Sequence, residues 1–209
     1  MKLYYTPGAC SLSPHIVLRE AGFDFELEKV DLSTHKTESG ADFYTINPKG
    51  YVPALVLDDG QVLTEGAAII QYVADLRREA HLAPPPGTLE RARLQEQLIF
   101  IAAELHKAYA PLFSPAASEE AKAAARDNVA RRLDLVERQF SDGRPYLLGQ
   151  QLSVADIYLF VVAGWAEKMG VGLERRPKLA DFLNRVRSRE AVQAALRAEG
   201  LLEAAQQAA

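Results

Sequence analysis

Tyr4-Tyr5-Thr6-Pro7-Gly8-Ala9-Cys10-Ser11-Leu12-Ser13-Pro14 joins a short β-prone run to a helical one and carries the only cysteine of the chain. Lys2 to Thr6 is aromatic and strand-like, Pro7-Gly8 breaks it, and Ser11 to Ala21 carries Leu12, Ile16, Val17 and Leu18 at helical spacing before Gly22. Cys10 is thereby expected where a strand turns into a helix N-terminus. There, unpaired backbone N–H groups and the helix dipole favour a thiolate. A small, core-packed cysteine satisfies the same pattern, so the stretch alone leaves both readings open.

Working outward, Asp24 to Val30 alternates as a second strand, and Ala41 to Ile46 is expected to be a short helix ending at Asn47-Pro48. Ala54 to Leu57 and Gln61 to Leu63 flank Asp58-Asp59-Gly60, a hairpin signature. Ile69, Tyr72, Val73 and Leu76 then mark a helix beginning near Glu65. The order β-α-β-α-β-β-α predicts a compact α/β domain over 1–80. Pro84-Pro85-Pro86-Gly87 interrupts it, so residues 81–87 are expected to be a linker.

Residues 88–209 show no strand pattern and predict an all-α domain. Leu94, Leu98, Ile101, Leu105 and Leu112 line a long helix from about Leu89 to Leu112, and a second helix begins near Ser118. Ser153-Val154-Ala155-Asp156 resembles a capping box, with Asp where Glu or Gln is usual, and Ile157 to Trp165 is apolar all round, as in a helix buried in a bundle. Further helices follow Pro177 and Arg189.

The 209 residues carry 24 basic and 28 acidic side chains, without a basic stripe, so no nucleic-acid partner is expected. No signal-peptide pattern or membrane-length apolar run appears, and one cysteine fits a reducing, cytoplasmic compartment. His15, His35 and His81 have no ligand spacing with carboxylates or thiols, so no metal is expected.

Cys10-Ser11-Leu12-Ser13 has the spacing of a dithiol motif whose second cysteine is serine, so an oxidised Cys10 needs an external thiol to resolve it. Val52-Pro53 precedes the third strand; a cis proline there exposes backbone groups to a ligand, whereas an ordinary edge-strand proline is the alternative. Glu65 opens a helix, where its carboxylate can meet an ammonium while the N–H groups of Gly66 and Ala67 meet a carboxylate. Balancing the helix dipole explains Glu65 equally well. His106 flanks the leucine seam of the long helix, placed either to exchange a proton with a sulfur near Cys10 or simply to pack.

Together these residues resemble the cytosolic glutathione S-transferases, most closely the bacterial beta class, over essentially the whole chain. The carriers are Met1 to Tyr5 with Pro7 to Ser13, Asn47 to Leu55, Leu63 to Gly66 with Gln71-Tyr72, Glu104 to Lys107, Pro111 to Phe113 and Leu152 to Asp156. The resemblance implies a thioredoxin-like N-terminal domain, an all-helical C-terminal domain, a homodimer, and glutathione as co-substrate with a small hydrophobic electrophile. It makes Cys10 and His106 the catalytic candidates. Ala9, Cys10, His35, Lys36, Tyr51, Val52, Pro53, Glu65, Gly66, Ala103, Glu104 and His106 become glutathione contacts, with Glu104 serving the neighbouring subunit. Pro7, Tyr109, Leu112 and Trp165 become the electrophile pocket. Three departures stand out. Relatives often carry a lysine near His35 for the glycyl carboxylate, a role that falls here to Lys36; Ile99 stands where asparagine is common; and Ala103 stands where serine or threonine is common. Ile99, Ala103 and His106 share a helical stripe, so the two losses predict weakened glutathione affinity or an altered second-substrate pocket.

Overall fold

A computed structural model describes residues 1–202. The chain forms two compact units, one of Met1–Ala80 together with the segment from Ser188 onward, the other of His81–Arg187.

The first unit is built on a five-stranded mixed sheet. β1 (Lys2–Tyr5), β2 (Glu26–Asp31), β3 (Lys36–Thr37), β4 (Ala54–Val56) and β5 (Val62–Thr64) lie in the order β3-β2-β1-β4-β5. β1 pairs parallel with β2, reached through helix α1 (Leu12–Glu20), and antiparallel with β4. This is the thioredoxin-like arrangement. Leu3 and Leu55 are paired across β1 and β4, and both are fully buried, as are Ile16, Val17 and Leu18 of α1. The hairpin turn is as expected, with Gly60 at φ +84° and the Gln61 N–H donating to Asp59 Oδ1 at 3.0 Å. Helix α2 (Gly66–Leu76) follows β5 and packs on α1. The expected helix over Ala41–Ile46 is only a 3-10 turn, Phe43–Thr45, because the Asp42 carboxylate captures the Tyr44 N–H at 3.0 Å and turns the chain locally.

The second unit is all-helical. α3 (Leu89–Ile99) runs into a π-helical segment, Phe100–His106, and then α4 (Ala110–Phe113). The single long helix expected over Leu89–Leu112 is therefore three pieces. α5 (Glu119–Gln139) is capped by Ser118, whose hydroxyl accepts the Ala121 N–H at 3.2 Å. α6 (Val154–Ala163) is buried at all ten positions, as its all-round apolar sequence predicts. Its start is fixed by Asp156, which accepts the Ser153 N–H (2.8 Å), the Ser153 hydroxyl (2.6 Å) and the Leu147 N–H (2.7 Å). The aspartate, standing where glutamate or glutamine is usual, closes the capping box and also holds the Leu147 amide of the preceding loop. α7 (Pro177–Arg187) starts on its proline.

Helix α8 (Glu190–Ala198) groups with the first unit, although the boundary drawn at the prolines puts it with residues 88–209. It packs on α1, and the Arg189 guanidinium grips Glu20 bidentately at 2.5 and 2.8 Å. Its amphipathic pattern identifies a buried face but not which surface receives it.

Candidate active site

Within the first unit, the Cys10 turn is a closed structure. The Ser11 hydroxyl accepts the Thr6 N–H (3.1 Å) and donates to the Thr6 carbonyl (3.2 Å), tying the end of β1 to the start of α1. The Ala9 amide donates to Thr6 O, and the Leu12 amide to Ala9 O. Ser13 donates its hydroxyl to the Cys10 carbonyl at 2.8 Å. The first helical residue is Leu12, so Cys10 sits in the turn just ahead of the helix. Beneath the turn, Ala9 and Tyr4 pack on a buried cluster of Val30, Phe43, Val52 and Ala54.

The half-buried Cys10 Sγ donates to the Val52 carbonyl at 3.4 Å. The Val52–Pro53 peptide is cis. Gly66 adjoins both Pro53 and Ser13, since a Cβ there would lie 3.7 Å from Pro53 Cγ and 3.9 Å from Ser13 Oγ. Cys10, Val52, Pro53 and Gly66, far apart in the chain, are thus one cluster. Glu65 stands beside it with φ +68° and ψ 110°, an unfavourable backbone region for a non-glycine residue. Its exposed carboxylate is held by Lys49 Nζ at 2.7 Å, and the same ammonium donates to Thr64 Oγ1 at 3.2 Å. Tyr51 is 70% exposed, and its carbonyl accepts from Asn47 Nδ2 at 2.6 Å.

His35 and Lys36 differ in kind. Lys36 is exposed on β3. His35 has φ +52°, lies against the Tyr44 ring at 4.5 Å between centroids, and has a buried Nδ1 with no hydrogen-bond partner. Gly50 is required here, because a Cβ would come within 2.8 Å of the Tyr44 ring and 3.2 Å of His35.

The remaining candidates belong to the second unit. His106 Nδ1 lies 2.9 Å from Tyr158 Oη, and its ring meets Trp165 edge-on at 5.0 Å. Burial, followed by the Lys107 ammonium, pushes the His106 pKa down to about 4, so the ring is neutral at pH 7. Trp165 also meets Tyr109 at 5.5 Å and Phe113 at 5.2 Å. Tyr109 is fully buried with an unpartnered hydroxyl, and burial raises its phenol pKa, so it backs this aromatic group rather than opening onto solvent. Leu112 is half-buried and Phe113 is 50% exposed. Pro7 belongs to the first unit.

Glu104 is exposed and paired with Arg132 Nη2 at 2.6 Å. The stripe expected from Ile99 through Ala103 to His106 is altered, because the wider π turn after Ile99 rotates the later positions. Ile99 is 66% exposed, whereas His106 is half-buried. A cavity of about 820 Å³ in the same unit, between Leu82, Pro84, Gln97, Arg144 and Leu147, includes none of the predicted residues. Among the described residues, no group of three or more His, Cys, Asp or Glu side chains is placed to hold a metal ion.

Sequence reasoning gave no role to Lys49 or Tyr158. Lys49 offered a signal, a cation sixteen residues from Glu65 across a predicted hairpin. Tyr158 offered none, lying inside an apolar run.

Residues 8–76 match the model of the glutathione S-transferase N-terminal domain, and residues 100–190 match that of the glutathione S-transferase C-terminal domain. The chain belongs to the glutathione S-transferase family. It is 46% identical over 201 residues to glutathione S-transferase GstA of Escherichia coli O157:H7, covering 96% of this chain and 100% of the relative. Among solved structures, a ternary complex of BphK, a bacterial GST, is 60% identical with a TM-score of 0.94, covering 96% of this chain and 100% of that one. The bacterial beta class glutathione S-transferase of Sphingomonas chungbukensis is 50% identical with a TM-score of 0.94, at the same coverage. These likenesses place the chain in the beta class, and it is a glutathione S-transferase enzyme.

Proposed function

We propose that this glutathione S-transferase joins the glutathione thiol to soft, hydrophobic electrophiles, halogenated ones among them, and that Cys10 carries a second, covalent activity. The observation that carries the reading is the Cys10 Sγ–Val52 O contact of 3.4 Å beside Gly66. It sets a thiol against backbone groups suited to an extended cysteinyl residue. Val52 would pair with that residue's backbone, Glu65 with the γ-glutamyl ammonium, and the N–H groups opening α2 with its carboxylate. His35 or Lys36 would meet the glycyl carboxylate, and Tyr51 would flank the thiol. The neutral His106 would exchange a proton through Nε2, with Tyr158 holding Nδ1. Trp165, Phe113 and Leu112 supply an apolar surface for the electrophile, and Pro7 is its expected neighbour from the first unit. Glu104 would serve glutathione held by a second subunit of a homodimer.

In the covalent activity, the Cys10 thiolate attacks the glutathionyl sulfur of a mixed disulfide and releases the other thiolate. A second glutathione thiolate then attacks the Cys10 adduct, releasing oxidised glutathione and restoring Cys10. In reductive removal of halogen, a glutathione thiolate would first displace halide to leave a thioether. The Cys10 thiolate would attack its glutathionyl sulfur, the substrate carbon leaving with the bonding pair and taking up a proton. A second glutathione would then release oxidised glutathione and restore Cys10, the two glutathione thiols supplying the two electrons.

Intact-mass measurement before and after reductant tests the covalent role: a glutathione-sized loss that disappears in Cys10→Ala supports it, and exchange that survives in Cys10→Ala refutes it.

A further inference from the structure

The end of α1 and the start of α8 border a cavity of about 590 Å³, lined by residues of the first unit alone. Its apolar walls are Phe23, Phe25, Ala191 and Ala194. Four charged side chains also line it: Arg19 and Glu20 from α1, and Arg189 and Glu190 from the start of α8. Glu20 and Arg189 grip each other at 2.5 and 2.8 Å and cancel. Arg19 and Glu190 remain available. Arg19 Nε donates to Nε2 of the fully buried His15 at 2.9 Å, which fixes one edge of the guanidinium. His15 is itself held from behind, its Nδ1 2.8 Å from Glu199, whose other oxygen accepts the Gly8 N–H. The Arg19 guanidinium also lies 5.6 Å from the Phe25 ring centroid. Among the described residues its Nη groups reach no acceptor, and the Glu190 carboxylate reaches no donor.

Each charge stands without a partner because of its place. Arg19 lies in the last turn of α1 and Glu190 in the first turn of α8, where the helix dipoles favour those signs. The lining is therefore neutral in sum, with one available charge of each sign beside two phenyl rings. A ligand of a single sign would leave the opposite charge facing it, whereas a dipolar ligand satisfies both. A guanidinium with one edge fixed offers its remaining N–H groups to a carboxylate with little ordering left to lose.

We infer that this cavity is a binding site for a zwitterionic amino acid with an aromatic side chain. Arg19 takes the carboxylate, Glu190 takes the ammonium, and Phe23 and Phe25 take the ring. None of these residues belongs to the cluster around Cys10. A ¹⁵N–¹H NMR titration with L-phenylalanine, run with saturating glutathione, should move the amides of Phe23, Phe25 and Ala191 and saturate with a Kd of about 1 mM or tighter. 3-Phenylpropionate, which lacks the ammonium, and phenethylamine, which lacks the carboxylate, should each bind at least about tenfold more weakly. Glu190→Gln should weaken phenylalanine at least about fivefold without weakening phenylpropionate, and Arg19→Met should weaken both at least about tenfold. Because Arg19 also supports His15, Ala194→Phe carries the test should that variant not fold: it fills the cavity, leaves both charges, and should abolish phenylalanine binding. Absence of saturable phenylalanine binding would overturn the inference, as would phenylpropionate binding equally well or Glu190→Gln having no effect. Binding that is lost in Glu65→Gln but kept in Ala194→Phe would place the amino acid in the Cys10 cluster and overturn it too.

Discussion

Lys49 Nζ lies 2.7 Å from Oε1 of Glu65, and the residue it steadies has a left-handed φ of +68°. Under the proposed reading, glutathione would use both the carboxylate and the amides that follow it, which accounts for keeping an unfavourable backbone at this helix start. Glu65→Gly should therefore separate stability from binding. The variant should be no less stable than the parent, gaining up to about 2 kcal/mol once strain relief offsets the added freedom of the unfolded chain. Its glutathione affinity should fall about tenfold or more, the loss of a charge-assisted contact. Urea unfolding and glutathione titration on the same preparations check both halves.

Removing the partner should do much less. The Lys49–Glu65 pair is exposed on both sides, and such pairs contribute roughly 0–1 kcal/mol. Lys49→Met should change glutathione affinity by no more than about fivefold, and the difference should shrink with added salt. A larger effect would mean that Lys49 itself contacts the tripeptide.

His106 gives a pH signature with a definite sign. Its pKa is lowered from 6.5 in the unfolded chain to about 4, first by burial and then by Lys107. Between those values the unfolded state binds the proton and the folded state does not. The contribution of this group is complete above pH 6.5 and is lost as the pH falls towards 4, by up to about 3 kcal/mol. His106→Asn should flatten the fall in unfolding free energy across that window, and NMR of the parent should show the ring neutral at pH 5.5.

Asp156 is fully buried in the second unit and holds three donors. Asp156→Ala would strand the Leu147 and Ser153 amides inside the protein. It should lower stability by about 3 kcal/mol or more, measured by thermal unfolding. The first unit should keep its Cys10 reactivity at temperatures below that transition.

The sequence made much of this legible where local chemistry decides the outcome. The Pro7-Gly8 break, the Asp58-Asp59-Gly60 hairpin, the Ser118 cap and the Ser153–Asp156 start each act over a few residues, and each appears as read. Three features escaped. β3 is two residues in a polar segment, too short for alternation to register. The π-helical segment leaves the apolar spacing of Leu98, Ile101 and Leu105 looking α-helical, so periodicity gave no warning. The Glu199–His15–Gly8 contacts join positions nearly the whole chain apart, and no local pattern reports a pairing at that distance. The cluster around Cys10 was readable as a set of residues, and the resemblance supplied what spacing could not, namely that they meet.

The packing of α8 on α1 also makes the order of synthesis matter. The strands and helices of residues 1–80 leave the ribosome before α8, yet the face of α1 that carries His15 stays uncovered until Glu199 has been made. Residues 1–80 therefore look like a domain in the linear sequence but not in three dimensions. Cutting the gene at the proline-rich linker would leave a buried imidazole without its acceptor, the Gly8 amide without its carboxylate, and the apolar side of α1 in water. The unit carrying Cys10 is thus completed by residues that lie beyond the entire helical unit in the sequence, and the turn ahead of α1 gains its carboxylate only after that unit has been made.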